Sequence, residues 1–344
     1  MSSYGRLISG LFATIFLILA VCGVCAADSQ IITLEKRKEI VAPDRTLPDG
    51  SHLIRAQDRK REDLQLRFGL QCVQTWNTQV IAYAIDFDRN GHFYVSDIGG
   101  KLEMLSPTGQ HLAMFDLSAR LSSIRSLAIN RNGIADVIFL ADEIRREVHR
   151  YSINAATSSL THNGAFSVTP AQASQKLAPH GFAFRAPGEL LISDTANHLV
   201  FHCNESLAGI AVIKPTGTGE TPLNCPRQLA YHPGENLIYL ADKYNARIVV
   251  MDMNGNVIRK WGKQGAQAGE FSIPHGLILD TSRNLVYVGD TGNNRVQVFD
   301  TQGNFKSQWQ AADFRGPRYM TLDAQGRVYV TSYLDKKVAV LEYH

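Results

Sequence analysis

Four short runs near the C-terminus decide the fold. They are Gly276-Leu277-Ile278-Leu279-Asp280, Leu285-Val286-Tyr287-Val288-Gly289-Asp290, Asn294-Arg295-Val296-Gln297-Val298-Phe299-Asp300 and Phe305-Lys306-Ser307-Gln308-Trp309. Each run is short, rich in β-branched and aromatic residues, and bounded by polar turn residues. That is how an antiparallel strand reads. Four such strands in about 35 residues form one unit too small to bury both faces alone.

The unit repeats. Its second strand ends in a recurring landmark: Val95-Ser96-Asp97, Leu140-Ala141-Asp142, Ile192-Ser193-Asp194, Leu240-Ala241-Asp242, Val288-Gly289-Asp290 and Val330-Thr331-Ser332. The landmarks lie about 42 to 52 residues apart, the period of a four-stranded propeller blade. Six landmarks predict six blades. The last unit ends after its third strand, Lys337 to Tyr343, while Gly69 to Trp76 resembles the missing fourth strand. Pairing the two would close the ring and cover edges that an open array leaves unpaired. The expected fold is an all-β, six-bladed β-propeller over residues 66–344.

Outside the repeats, Arg6 precedes an uncharged apolar run over 7–27 that ends in Val24-Cys25-Ala26-Ala27. This order of charged, apolar and small residues reads as a secretory signal peptide over 1–27, with an uncleaved signal anchor as the alternative. The charged stretch 28–65 reads as a solvated arm. The expectation is a secreted protein, or one in the secretory-pathway lumen, with no membrane span beyond that signal. An oxidising compartment permits one disulfide among Cys72, Cys203 and Cys225 and leaves one thiol over. Asn204-Glu205-Ser206 is a glycosylation sequon.

The 344 residues are 44% hydrophobic and 19% charged, enough apolar material for a packed core. With 35 basic and 32 acidic residues the net charge is +3. No domain-wide excess of positive charge marks a nucleic-acid binder, so nucleic acid is not an expected partner.

Asp242-Lys243-Tyr244-Asn245-Ala246-Arg247-Ile248-Val249, Asp290-Thr291-Gly292-Asn293-Asn294-Arg295-Val296 and Gly269-Glu270-Phe271-Ser272-Ile273-Pro274-His275-Gly276 resemble the NHL repeat. The likeness is sharp from about Leu177 to Trp309. Among NHL propellers the sequence is most similar to the peptidyl-α-hydroxyglycine α-amidating lyases. Those enzymes hold zinc through three axial histidines, each in a Pro-His pair opening a blade. The resemblance implies His180 and His275 as two metal ligands and Tyr244 as the counterpart of the active-site tyrosine. It also breaks down. Counted blade by blade, the ligand position holds Tyr83, Arg125, His180, Arg227, His275 and Arg318, with no third histidine. The family cysteine after the tyrosine is missing too.

Equivalent positions on the innermost strands converge on a propeller's axis. Two chemistries are therefore open. Arg125, Arg227 and Arg318, with Tyr83 beside them, could form a cationic well for an anionic small molecule or a peptide carboxylate. Alternatively, His180 and His275 could hold zinc, with Tyr83 or solvent as third ligand and Tyr244 as general base of a lyase. Arginines beside a metal oppose it, which favours the anion. A third reading is a scaffold for an extracellular protein. The plain alternative for the arginines is a set of salt bridges to Asp97, Asp142 or Asp194. The Asp-x-x-Asn-x-Arg pattern reads as turn-building, and the tryptophans as packing between outer strands.

Overall fold

A computed structural model describes residues 69–344 apart from Ile134, Gln172 and Gly219. The signal-like segment and the charged arm lie outside the described residues. Within them, 24 strands form six four-stranded antiparallel sheets. Five blades are consecutive in sequence: 84–116, 126–166, 179–213, 226–261 and 274–309. The sixth combines Pro317–Leu322, Val328–Ser332 and Lys337–Tyr343 with Leu70–Asn77, the outermost strand. Leu70 pairs with Tyr343, and Asn77 with Lys337. The closure read from the two ends of the repeat array is therefore present. All six landmarks sit at or just beyond the end of a blade's second strand.

The innermost strands touch in a closed cycle, blade 1 against 2 and on to blade 6 against 1. Between blades, alternate residues of facing strands interlock. Tyr287, Val298, Met320 and Val330 pack in one such interface, and Leu190, Ile192, Phe139 and Ala141 in another. Burial of apolar surface between sheets, at about 25 cal/mol per Å², is what holds a ring of small units together.

The repeat acids cap turns. Asp290 accepts Ser272 N (2.7 Å), Asn293 Nδ2 (2.8 Å) and Arg295 Nε (2.9 Å). Asp242 does the same with Asn224 N, Asn245 Nδ2 and Arg247 Nε at 2.7, 2.8 and 2.8 Å. The Asp-x-x-Asn-x-Arg pattern thus builds the turn on one face. Trp76 packs on Phe93 and Tyr329, with ring centroids 5.0 and 5.3 Å away. Trp309 packs on Phe314 at 5.0 Å, as expected of packing residues.

Candidate functional site

In four of the six blades the axial side chain owes its direction to a β-bulge. In blades 3 and 5 the pairing runs Pro179 to Asp194 then Gly181 to Ser193, and Pro274 to Asp290 then Gly276 to Gly289. His180 and His275 are the extra residues. In blades 4 and 6, Arg227-Gln228 and Arg318-Tyr319 are set opposite one residue each. A bulge releases a residue from the ladder and re-aims its side chain. Proline at the strand start fits this placement, having no N–H to pair. The glycines follow from the crowding. A Cβ on Gly181 would lie 2.6 Å from Arg227 O, and one on Gly276 2.2 Å from Arg318 O.

All six predicted positions meet at one end of the channel. His180 and His275 are fully buried, with ring centroids 4.9 Å apart. Tyr83 lies edge-on to His275 at 6.1 Å. Its hydroxyl accepts Arg318 Nη2 at 2.8 Å and Arg125 Nη1 at 3.5 Å. Arg318 also lies over the rings of Tyr83 and Tyr333, at 4.3 and 4.6 Å. Arg125 reaches Glu143 at 3.4 Å, and Arg227 reaches the same carboxylate at 3.8 Å. Arg318, Tyr83, Arg125, Glu143 and Arg227 therefore form one chain of contacts around the mouth. Among the described residues the axial arginines do not pair with Asp97, Asp142 or Asp194, each of which instead accepts backbone N–H groups of nearby turns. Glu143, one residue beyond a landmark, takes that role because the turn projects it over the axis.

Each guanidinium offers five N–H donors. Among the described residues the three together make two hydrogen bonds, both to Tyr83. Arg227 is 7% exposed, and its partner Glu143 stands beyond hydrogen-bond distance.

Burial, and after it the positive charge of Arg227 and Arg318, holds the His180 imidazole well below its ordinary pKa. For His275 burial again leads, followed by Arg318 and His180. Both rings are neutral. His180 Nε2 and both nitrogens of His275 have no hydrogen-bond partner among the described residues. Those open nitrogens suit a metal, but the rest of the donor set does not. Tyr83 turns its oxygen to two guanidiniums, no group of three His, Cys, Asp or Glu side chains converges among the described residues, and three arginines surround the pair. The residues present do not fit a catalytic zinc ion.

Tyr244, the candidate base, is 60% exposed, and its hydroxyl accepts a hydrogen bond from Lys243 Nζ at 3.0 Å. Asn204 ends a strand, and its side-chain oxygen holds the following turn through Ser206 N and Ala208 N. Cys203 is a buried free thiol, pushed up to about 12 by burial, and Cys225 is a half-buried free thiol.

Three site residues were missed from sequence. Tyr319 donates to His180 O at 2.6 Å and meets Nδ1 at 2.5 Å. Gln228 spans three blades, accepting Leu277 N and Met320 N and donating to Met320 O. Glu143 is the third. A signal existed for the first two. The position after the axial residue holds Ala84, Ser126, Gly181 and Gly276 in the other blades, so Gln228 and Tyr319 are oversized there. Two surface cavities, of 290 and 400 Å³, lie elsewhere, beside Phe87 and Tyr329 and beside Tyr151 and His162.

A family described as "6-bladed beta-propeller" matches residues 188–343. Among solved structures, a Bacteroides thetaiotaomicron protein of unknown function is similar at TM-score 0.60 and 12% identity, over 80% of this chain and 76% of that one. Virginiamycin B lyase from Staphylococcus aureus is similar at TM-score 0.54 and 12% identity, over 81% and 100%. An auxiliary nutrient binding protein from B. thetaiotaomicron follows at 0.55 and 12%, over 78% and 70%. Identities this low carry the architecture and leave the site to its own residues. Strand order, closure and these likenesses agree that the chain is an all-β, six-bladed propeller.

Proposed function

We propose that this propeller is a binding protein of the secretory pathway that takes an anionic small molecule or a peptide carboxylate at its axial mouth. One observation carries the reading: three arginines from three blades converge there, Arg125 and Arg227 on Glu143, and Arg318 on the Tyr83 hydroxyl that Arg125 also reaches. Guanidinium forks match oxyanions through paired, charge-assisted hydrogen bonds, and these three leave most of their donors open. Half-burial of the mouth strengthens such bonds by keeping water away. The neutral histidine pair adds polar nitrogens without adding charge. The secretory placement rests on the order of residues at the N-terminus.

The rival is a zinc-dependent enzyme similar to the amidating lyases, and the open nitrogens of His180 and His275 favour it. The missing third donor counts against it.

Calorimetric titration with inorganic phosphate and sulfate separates the two, alongside metal analysis of the purified protein. The anion reading expects saturable binding that weakens as sodium chloride rises. It also expects a loss of about tenfold or more on Arg227→Ala, with the thermal transition retained. Stoichiometric zinc that is lost in a His180→Ala/His275→Ala variant would favour the enzyme. Anion affinity indifferent to both salt and Arg227 defeats the proposal.

A further inference from the structure

The mouth is not sixfold but threefold. Arginine occupies the axial position in blades 2, 4 and 6 (Arg125, Arg227, Arg318), while blades 1, 3 and 5 carry Tyr83, His180 and His275. The turn after each second strand opens at the same end, because the start of each first strand pairs with the end of the second: Pro226 with Asp242, Pro317 with Ser332. Two residues past each landmark, that turn alternates in the same phase. The odd blades hold Gly99, Ala196 and Gly292. The even blades hold Ile144, Tyr244 and Leu334, which are 63%, 60% and 53% exposed. Two of the residues just before these three reach inward: Glu143 to Arg125 and Arg227, and Tyr333 to Arg318. Lys243 reaches Tyr244 and adds its charge to the field at both histidines.

We infer that the mouth binds a phosphate monoester of an apolar alcohol or phenol, its phosphoryl group on the axis and its apolar body between Ile144, Tyr244 and Leu334. This rests on the anion reading and narrows it. A phosphoryl group presents three terminal oxygens about its ester bond, and alternate blades of a six-bladed ring stand about 120° apart. A planar carboxylate offers two oxygens and leaves one arginine without a partner. Charge agrees: three guanidiniums and Glu143 sum to a net positive site that suits a dianion better than a monoanion. At this turn position the large exposed apolar residues fall in the three arginine blades, which places greasy contact around the exit from that anion site.

Phenyl phosphate, inorganic phosphate, phenyl sulfate and phenylacetate are titrated in parallel into the protein and into an Ile144→Ser/Leu334→Ser variant. Ile258→Ser, an exposed apolar residue on an outer strand, serves as control. Phenyl phosphate is expected to bind at least about tenfold more tightly than inorganic phosphate and than phenylacetate. The rim variant should weaken phenyl phosphate several-fold more than inorganic phosphate, and the control should change neither. Tighter binding of phenyl sulfate than of phenyl phosphate overturns the choice of ester. Equal binding of phenyl and inorganic phosphate, or equal weakening of both by the rim variant, overturns the apolar contact while leaving anion binding in place. Absence of binding by all four anions removes the anion reading itself.

Discussion

Tyr319 lies flat against His180, ring planes 11° apart and centroids separated by 5.8 Å, with its hydroxyl bonded to the same residue's Nδ1 and carbonyl oxygen. Burial holds that phenol well above its ordinary pKa, so it remains a protonated hydrogen-bond donor. One side chain from blade 6 therefore fixes the orientation of an imidazole from blade 3, across the axis.

Removing the hydroxyl tests this link. Tyr319→Phe leaves a buried carbonyl and a ring nitrogen without their partner, at a cost of about 1–3 kcal/mol. Urea denaturation should show a lower midpoint with an unchanged slope. NMR of the His180 imidazole should show altered ring-nitrogen shifts. A wild-type midpoint together with unaltered shifts would mean that the bond positions nothing.

Acid should destabilise the fold through the histidine pair. Both imidazoles have depressed folded-state pKa values against an ordinary 6.5. Below 6.5 the unfolded chain takes up protons that the folded one refuses. Their stabilising contribution is complete above that pH and is lost as pH falls, by up to about 1.4 kcal/mol per pH unit for each ring. Denaturation midpoints measured between pH 7.5 and 5.5 should fall more gently in a His180→Gln/His275→Gln variant. Parallel slopes for parent and variant would contradict neutral burial.

The glycines after the axial histidines are needed for space. Gly276→Ala drives a methyl group into the carbonyl of Arg318, 2.2 Å away. Backbone must move, at a cost of about 1–3 kcal/mol, and the arginine moves with it. Thermal denaturation and phosphate titration of this variant should both report losses. A neutral outcome would show that blades 5 and 6 approach less closely than described.

Ring closure should also govern stability. Trp76 on the N-terminal strand is 4% exposed and wedged against Phe93 of blade 1 and Tyr329 of blade 6. Trp76→Ala should destabilise by about 3–5 kcal/mol and should raise protease sensitivity at the last blade first. Uniform sensitivity across all blades would argue against closure as the weak point.

Much of this architecture was legible because repetition multiplies the signal. One blade's strands are ambiguous, but six landmarks with a common spacing are not. The same repetition made the axial register countable, so Tyr83, Arg125, His180, Arg227, His275 and Arg318 could be grouped without coordinates. What failed to show was anything set by contact rather than by position. No motif singles out Glu143, and only geometry reveals that it reaches two arginines. The landmark aspartates offer themselves in the sequence as partners for the axial arginines, yet each is engaged by backbone N–H groups that no residue pattern records. Tyr244 matches a family segment by its neighbours, while its contact with Lys243 is visible only in the structure.

The central claim is that the three arginines make one anion site on the axis. Crystals soaked in selenate, a tetrahedral oxyanion whose selenium scatters anomalously, test it most directly. One dominant anomalous peak is expected on the axis, within hydrogen-bond reach of Arg125, Arg227 and Arg318 and absent from an Arg227→Ala crystal. An axis without a peak at saturating selenate, or a peak confined to the outer surface, would contradict it.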